Sequence, residues 1–239
     1  MKDAAKIRSM FASVSPRYDL LNHLLSLNQD KRWRKKTVEI SGIKGGETVL
    51  DVCSGTADLA LTYSESVGPE GLVVGADFCP EMLHIGKQKL PPPRPGARVE
   101  LIAADTLRLP FPDSVFDVVS VAFGIRNVSN HEAGIREMTR VAKGGGRVVI
   151  LEFSLPENGL FGKVYITYFT KVLPVIGKVL SRSDNDAYGY LPDSVLKFPR
   201  GTEMCGVMER CGLSDVSARE LTLGIVSLYI GKKPLAAEG

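Results

Sequence analysis

The chain has no apolar run approaching the roughly 18 residues of a membrane-spanning helix, and Met1 to Phe11 lacks the apolar core of a signal peptide. Cysteine is scarce. Cys53, Cys79, Cys205 and Cys211 show no C-x-x-C or Cys/His spacing suited to zinc, so they read as reduced, mostly buried thiols. The three-glycine dinucleotide fingerprint and the Gly-Lys-Ser/Thr of a P-loop are both missing. These absences exclude a spanning, disulfide-stapled or nucleotide-triphosphate-cradling protein and lead us to expect a cytoplasmic one.

What is present is of globular type: 239 residues, 44% hydrophobic and 24% charged. A chain of this length buries roughly 70 to 75% of its unfolded surface and needs no metal to hold a core. The net charge of +3 is unevenly spread, because residues 1–44 hold ten Lys/Arg against four Asp/Glu and the remainder holds 20 against 23. Lys31, Arg32, Arg34, Lys35 and Lys36 surround Trp33, a composition suited to an anionic membrane surface or to nucleic acid. A solvated basic helix face has the same composition, and the sequence leaves these readings side by side.

From residue 47 short β-branched runs alternate with helical stretches, the pattern of a parallel sheet flanked by helices. Strands are expected at 48–52, 72–76, 98–103, 116–121 and 147–153. A helix over 130–142 carries Ser129 and Glu132 as a capping box, with Ile135, Met138 and Val141 on one face and Gly144 as its end. Pro91, Pro92, Pro93 and Pro95 predict a stiff loop. Residues 213–220 and 223–231 read as strands joined by a short turn, hence antiparallel. The expected class is α/β: a seven-stranded, mostly parallel sheet of the class I S-adenosylmethionine-dependent methyltransferase type. N-terminal helices and a helical insertion after strand 5 complete it. The whole forms one domain over 1–239, divided into a helical segment 1–45, a core 46–154, an aromatic insertion 155–190, and a C-terminal helix and hairpin 191–239.

The first strand runs into Asp51-Val52-Cys53-Ser54-Gly55-Thr56-Ala57-Asp58, where Gly55 permits a sharp turn and close ligand approach. Asp51 and Asp58 would repel phosphate and suit a cofactor carrying ammonium and sulfonium groups. The second strand ends at Asp77, 22 residues after Gly55, where a carboxylate accepts from ribose hydroxyls or caps the helix at Pro80. The third strand leads to Asp105 and Thr106, with Asp105 able to accept from an adenine amine. Carboxylates at the ends of three successive strands fit S-adenosylmethionine.

Met10-Phe11 to Val14, Tyr18-Asp19-Leu20-Leu21-Asn22, Arg32-Trp33-Arg34, Phe123-Gly124-Ile125-Arg126-Asn127-Val128, Lys143-Gly144-Gly145-Gly146-Arg147, Leu151-Glu152-Phe153-Ser154 and Leu221-Thr222-Leu223-Gly224-Ile225-Val226 together resemble the ubiquinone/menaquinone biosynthesis C-methyltransferases. The resemblance spans nearly the whole chain. It implies methylation of a ring carbon in a polyprenylated quinol, demethylmenaquinol or the ubiquinol precursor. The implied partners are that quinol and a membrane surface, with peripheral attachment at the inner membrane. A homodimer is compatible, and no nucleic acid or metal is expected. Carried over, the cofactor contacts are Asp51, Gly55, Thr56, Asp77, Phe78, Asp105, Thr106 and Ala122. The family often has glycine where this chain has Ala57 and serine where it has Ala122. For catalysis the resemblance points to Tyr18, Asp19, Arg126 and Asn127. Arg126 favours the phenolate, Asn127 holds an oxygen, and Asp19 or a water takes the proton, since arginine stays charged. Arg126 pairing with a carboxylate and Tyr18 as a core phenol are the structural alternatives. An RNA or protein methyltransferase and a non-catalytic cofactor-binding assembly subunit are the alternative functions. Against the former, no Asn/Asp-Pro-Pro-aromatic motif occurs, and Cys79-Pro80 reverses the order of a Pro-Cys nucleophile.

Overall fold

The computed structural model describes residues 4–90, 98–156, 159–173, 175 and 187–235. The proline loop at 91–95 and much of the 155–190 insertion lie outside them. Three helices come first: α1 (Ala4–Val14), α2 (Tyr18–Leu25) and α3 (Gln29–Ser41). The alternating core follows as β1 (Thr48–Val52), α4 (Asp58–Val67), β2 (Leu72–Asp77), α5 (Pro80–Lys89), β3 (Arg98–Ala103), β4 (Phe116–Ala122), α6 (His131–Val141) and β5 (Ala142–Phe153). After it come α7 (Gly159–Thr167), which continues through a π-helical turn at Tyr168–Val172, then α8 (Ala187–Leu196), α9 (Thr202–Arg210), β6 (Ser214–Leu221) and β7 (Val226–Lys232).

The seven strands form one sheet in the order β3-β2-β1-β4-β5-β7-β6. Neighbours from β3 to β5 run parallel, while β7 is antiparallel to both β5 and β6. The central strands are buried on both faces, which is why they read as unbroken Val/Leu/Ile runs. Because β1 pairs with β2 on one side and β4 on the other, chain direction away from the sheet reverses between β1 and β4. Open α/β sheets bind ligands at the carboxyl ends of the strands beside such a switch point. Among the described residues, no helix is long and apolar enough to cross a membrane.

Three local expectations need correction. The cap of α6 is Asn130, whose side chain accepts from Ala133 N at 3.0 Å, and Ser129 does not cap. Asn130 has the β-region backbone a capping residue needs. The helix ends at Val141 rather than Gly144, because Ala142 is already extended and paired with Phe116. Lys143 to Gly146 then form a bulge that shifts the β4–β5 register before Arg147 pairs with Val118. At the C-terminal hairpin, Thr222–Gly224 make a 3₁₀ turn and β7 begins at Val226.

The cap gives a direct test. Asn130→Ala should lower unfolding free energy by about 0.5–2 kcal/mol in urea titration. Ser129→Ala should stay within about 0.5 kcal/mol of the parent. Equal losses would place the cap elsewhere.

Candidate active site

The loop after β1 is unusually contorted for a non-glycine segment. Cys53 (φ +52°), Gly55 (+57°) and Ala57 (+68°) are all left-handed, which costs a non-glycine residue roughly 1–2 kcal/mol. A Cβ on Gly55 would meet nothing within 4 Å, so this glycine keeps its backbone open to a ligand. Ala57 thus adopts the conformation that a glycine would take freely.

Asp77 at the end of β2 fastens this loop: its Oδ2 accepts from Gly55 N and its Oδ1 from Cys79 N, both at 2.8 Å. Burial pushes the Asp77 carboxyl up, against the lowering effect of those N–H donors. Each oxygen retains a lone pair for a further donor.

A cleft opens over these strand ends. Gly55, Asp77, Phe78, Asp105, Thr106, Ala122 and Asn127 line it, so the structure brings together most of the sequence-predicted cofactor set. Cys53, Met82, Leu107, Gly124, Val128 and Ser129 line it too. Asn127 Oδ1 is buried there without a hydrogen-bond partner among the described residues. No Lys, Arg or His is among the described residues lining the cleft, whereas Asp77 and Asp105 are. Those acceptor carboxylates suit a cationic nucleoside and oppose a phosphate-bearing one.

Four predicted residues stand off this cleft. Asp51 lies beneath the loop, fully buried, with Oδ2 accepting from Ser54 Oγ at 2.8 Å and Oδ1 unpartnered among the described residues. Burial raises its pKa to about 7. Thr56 faces the N-terminal helices and donates to Asp19 Oδ1 at 2.5 Å. Asp19 also binds Lys89 Nζ at 2.8 Å and lines neither cavity. Asp58, expected beside a cationic cofactor, instead meets Lys89 at 2.5 Å and Arg34 at 3.4 Å. The grouping of His23, Asp30 and Asp58 resembles a cation site, and Arg34 is the cation there, 2.6 Å from Asp30.

A second, larger cavity of about 1530 Å³ adjoins the cleft, and Phe11, Tyr18 and Phe123 line both. Its wall is apolar and aromatic, with Trp33, Phe153, Tyr165, Phe169 and Tyr190. Burial raises the Tyr18 phenol above its ordinary value, with nearby Arg126 opposing. Arg126 lines this second cavity, whereas Asn127 lines only the cleft, so the structure separates the predicted pair.

Arg126 does pair with a carboxylate: Nη1 lies 2.7 Å from Glu152 Oε1 on β5. The same nitrogen donates to Phe123 O, and Nε donates to Ser194 Oγ at 3.3 Å. Its guanidinium sits 5.3 Å from the centroid of the Phe153 ring. Glu152 in turn accepts from the backbone N–H of Arg126 and of Phe153. These bonds hold Phe123 at φ +57°, a conformation rare for a bulky residue. Gly124 must follow it, because a Cβ there would overlap that of Cys53. Sequence reasoning quoted Phe123, Gly124 and Glu152 as motif residues but gave them no role in the site; the Phe-Gly dipeptide directly after a strand was the available signal.

With this geometry in view, residues 1–233 match the model of the ubiE/COQ5 methyltransferase family. The chain belongs to that family. The ubiquinone/menaquinone biosynthesis C-methyltransferase UbiE of Geobacter sp. (strain M21) is 47% identical over 95% of this chain and 96% of its own length. The protein of the same name from Stutzerimonas stutzeri (strain A1501) is 43% identical over 97% and 90%. Among solved structures, a SAM-dependent methyltransferase from Aquifex aeolicus superposes with TM-score 0.59 at 20% identity, over 83% of this chain and 88% of that one. Phosphoethanolamine N-methyltransferase 2 from Haemonchus contortus, solved with S-adenosyl-L-methionine, gives 0.54 at 15% identity over 80% and 50%. These two share the fold. S-adenosylmethionine is the cofactor of this family member, and the acidic, cation-free cleft fits it.

Asp77→Ala removes a charged acceptor and releases two loop N–H groups. It should weaken S-adenosylmethionine binding at least about tenfold in calorimetry, since bonds to a charged group are worth roughly 1.5–3 kcal/mol. Unchanged affinity in a folded variant would show that this carboxylate does not hold the cofactor.

Proposed function

We propose that this chain methylates a ring carbon of a polyprenylated quinol, taking demethylmenaquinol to menaquinol, with the ubiquinol precursor as a second acceptor. The observation that carries this reading is the meeting of two unlike cavities at Phe11, Tyr18 and Phe123, one acidic and the other large and apolar with the buried Arg126. The relatives' shared name supports it.

The bound cofactor supplies a methyl group activated by its sulfonium. In the cleft, Gly55, Asp77, Asp105, Thr106 and Asn127 hold and orient it. In the second cavity Arg126 faces the ring oxygen and stabilises the charge that builds there as the neighbouring carbon becomes nucleophilic. Phe153 and Glu152 fix the plane of its guanidinium. Arginine does not give up its proton, and Tyr18, with its raised pKa, stays a donor at neutral pH. With Asp19 committed to Lys89 and Thr56, the ring proton passes to water.

The acceptor's tail places the enzyme at an anionic bilayer. Leu20, Leu24, Leu27 and Leu160 are large apolar side chains left exposed, and Lys31, Arg32 and Lys35 are exposed on α3 close by in sequence. A basic residue near such a surface contributes about 1 kcal/mol. Changing Lys31, Arg32 and Lys35 together to Gln should reduce cosedimentation with phosphatidylglycerol liposomes, and added salt should weaken that of the parent. Equal sedimentation of parent and variant would remove this surface from the account.

Arg126→Ala should lower single-turnover methyl transfer to a short-chain demethylmenaquinol by roughly 10²- to 10³-fold, with calorimetric cofactor affinity largely kept. Arg126→Lys should recover only part of the rate, because a point charge cannot reproduce the planar fork. Wild-type turnover in Arg126→Ala would leave the residue a purely structural role.

A further inference from the structure

The second cavity has a direction that the reaction alone does not explain. Six aromatic rings run through it in unbroken contact. Phe123, at the junction with the cofactor cleft, lies 4.5 Å from Phe153 between ring centroids, and Trp33 packs on both at 5.9 and 6.3 Å. Phe153 continues to Phe169 at 6.3 Å, Phe169 to Tyr165 at 5.6 Å, and Tyr165 to Phe161 at 6.3 Å. The last three rings are spaced four residues apart along α7 and its π-helical turn, so they share one face. Their exposure is graded outwards, from a buried Phe169 through a half-buried Tyr165 to Phe161 at 41%. Leu27, left-handed at φ +52° and 79% exposed, lines the same cavity from the turn between α2 and α3. The charged residues in the lining are Asp30, Arg34 and Arg126, and none belongs to α7.

We propose that this ladder is the track for the isoprenoid tail of the substrate. The ring sits at Phe123 and Phe153, and the tail passes over Tyr165 and leaves beside Phe161, between α7 and the α2–α3 turn. Tyr165 is then the residue that reads the tail, whereas Arg126 reads the ring. The inference rests on the proposed quinol chemistry for the ring, but the tail site is testable without it. A continuous aromatic wall binds a flexible chain of isoprene units through apolar contact.

Trp33 is the chain's single tryptophan and lies within the ladder, so its emission reports occupancy directly. Titration with geranylgeraniol, a tail without a ring, should change Trp33 emission saturably. Tyr165→Ala should raise the dissociation constant roughly ten- to hundredfold, the effect of removing one buried aromatic contact. Val164→Ala, on the same helix but outside the cavity lining, should leave it unchanged. In methyl transfer, Tyr165→Ala should raise KM for a tailed demethylmenaquinol while leaving KM for tail-less 1,4-naphthoquinol as in the parent. No saturable emission change, an equal dissociation constant in Tyr165→Ala, or equal rises in KM for both quinols would overturn the proposal. Geranylgeraniol binding that depends on Tyr165, with no quinol methylated, would instead overturn the functional reading and leave the tail track standing.

Discussion

Glu152 has no exposed surface, and a carboxylate in the middle of a sheet is tolerable only beside a cation and hydrogen-bond donors. Arg126 supplies the cation, and the backbone N–H groups of Arg126 and Phe153 supply further donors. Satisfying this one buried charge pulls the turn after β4 onto β5. Phe123 is then forced into the left-handed region, and its ring becomes a wall shared by both cavities. Removing one partner of such a pair typically costs about 3–5 kcal/mol, far more than the strain held in the turn. The strained turn therefore persists because a larger interaction determines it. The same pair holds the guanidinium over Phe153, facing the space where a ring oxygen develops charge.

The N-terminal helices matter because they cover the carboxyl edge of the sheet. A chain of polar and charged side chains connects them to the core: His23 to Asp30, Asp30 to Arg34, Arg34 to Asp58, Asp58 to Lys89 and Lys89 to Asp19. Exposed pairs contribute little individually, but Asp30 and Arg34 are buried and the members share partners. Trp33 adds a polar tie to the far hairpin through Thr222 Oγ1 at 2.8 Å. The basic composition around Trp33 thus has two roles, with Arg34 turned inward and Lys31, Arg32 and Lys35 left at the surface.

The sheet was legible in the sequence because strands buried on both faces must be continuous apolar runs, and β1, β2 and β4 appear where those runs lie. Gly55, Asp77, Asp105 and Thr106 were legible for a related reason: a parallel sheet delivers every strand end to one edge. Asp19 and Thr56 stand off the cleft because their partners are not local. Lys89 is 70 residues from Asp19, and nothing in the β1 loop announces that Asp51 points beneath it. Asn130 and Ser129 are both good capping residues, and only backbone geometry chooses between them. The pairing of Arg126 with Glu152 and the ring ladder from Phe123 to Phe161 are products of packing across β4, β5, α3 and α7. Composition marks their residues as apolar or charged, but their alignment exists only in the fold.

The buried Arg126–Glu152 pair sets the geometry at the junction of the two cavities. Glu152→Gln tests this most directly, since the amide keeps the shape and one acceptor oxygen for Arg126 Nη1 and Phe153 N, while removing the charge and the acceptor of the Arg126 N–H. S-adenosylmethionine affinity should stay within about threefold of the parent by calorimetry, and single-turnover methyl transfer should slow at least about tenfold, as expected when reacting groups lose alignment. Parent-like affinity together with a parent-like rate would contradict it.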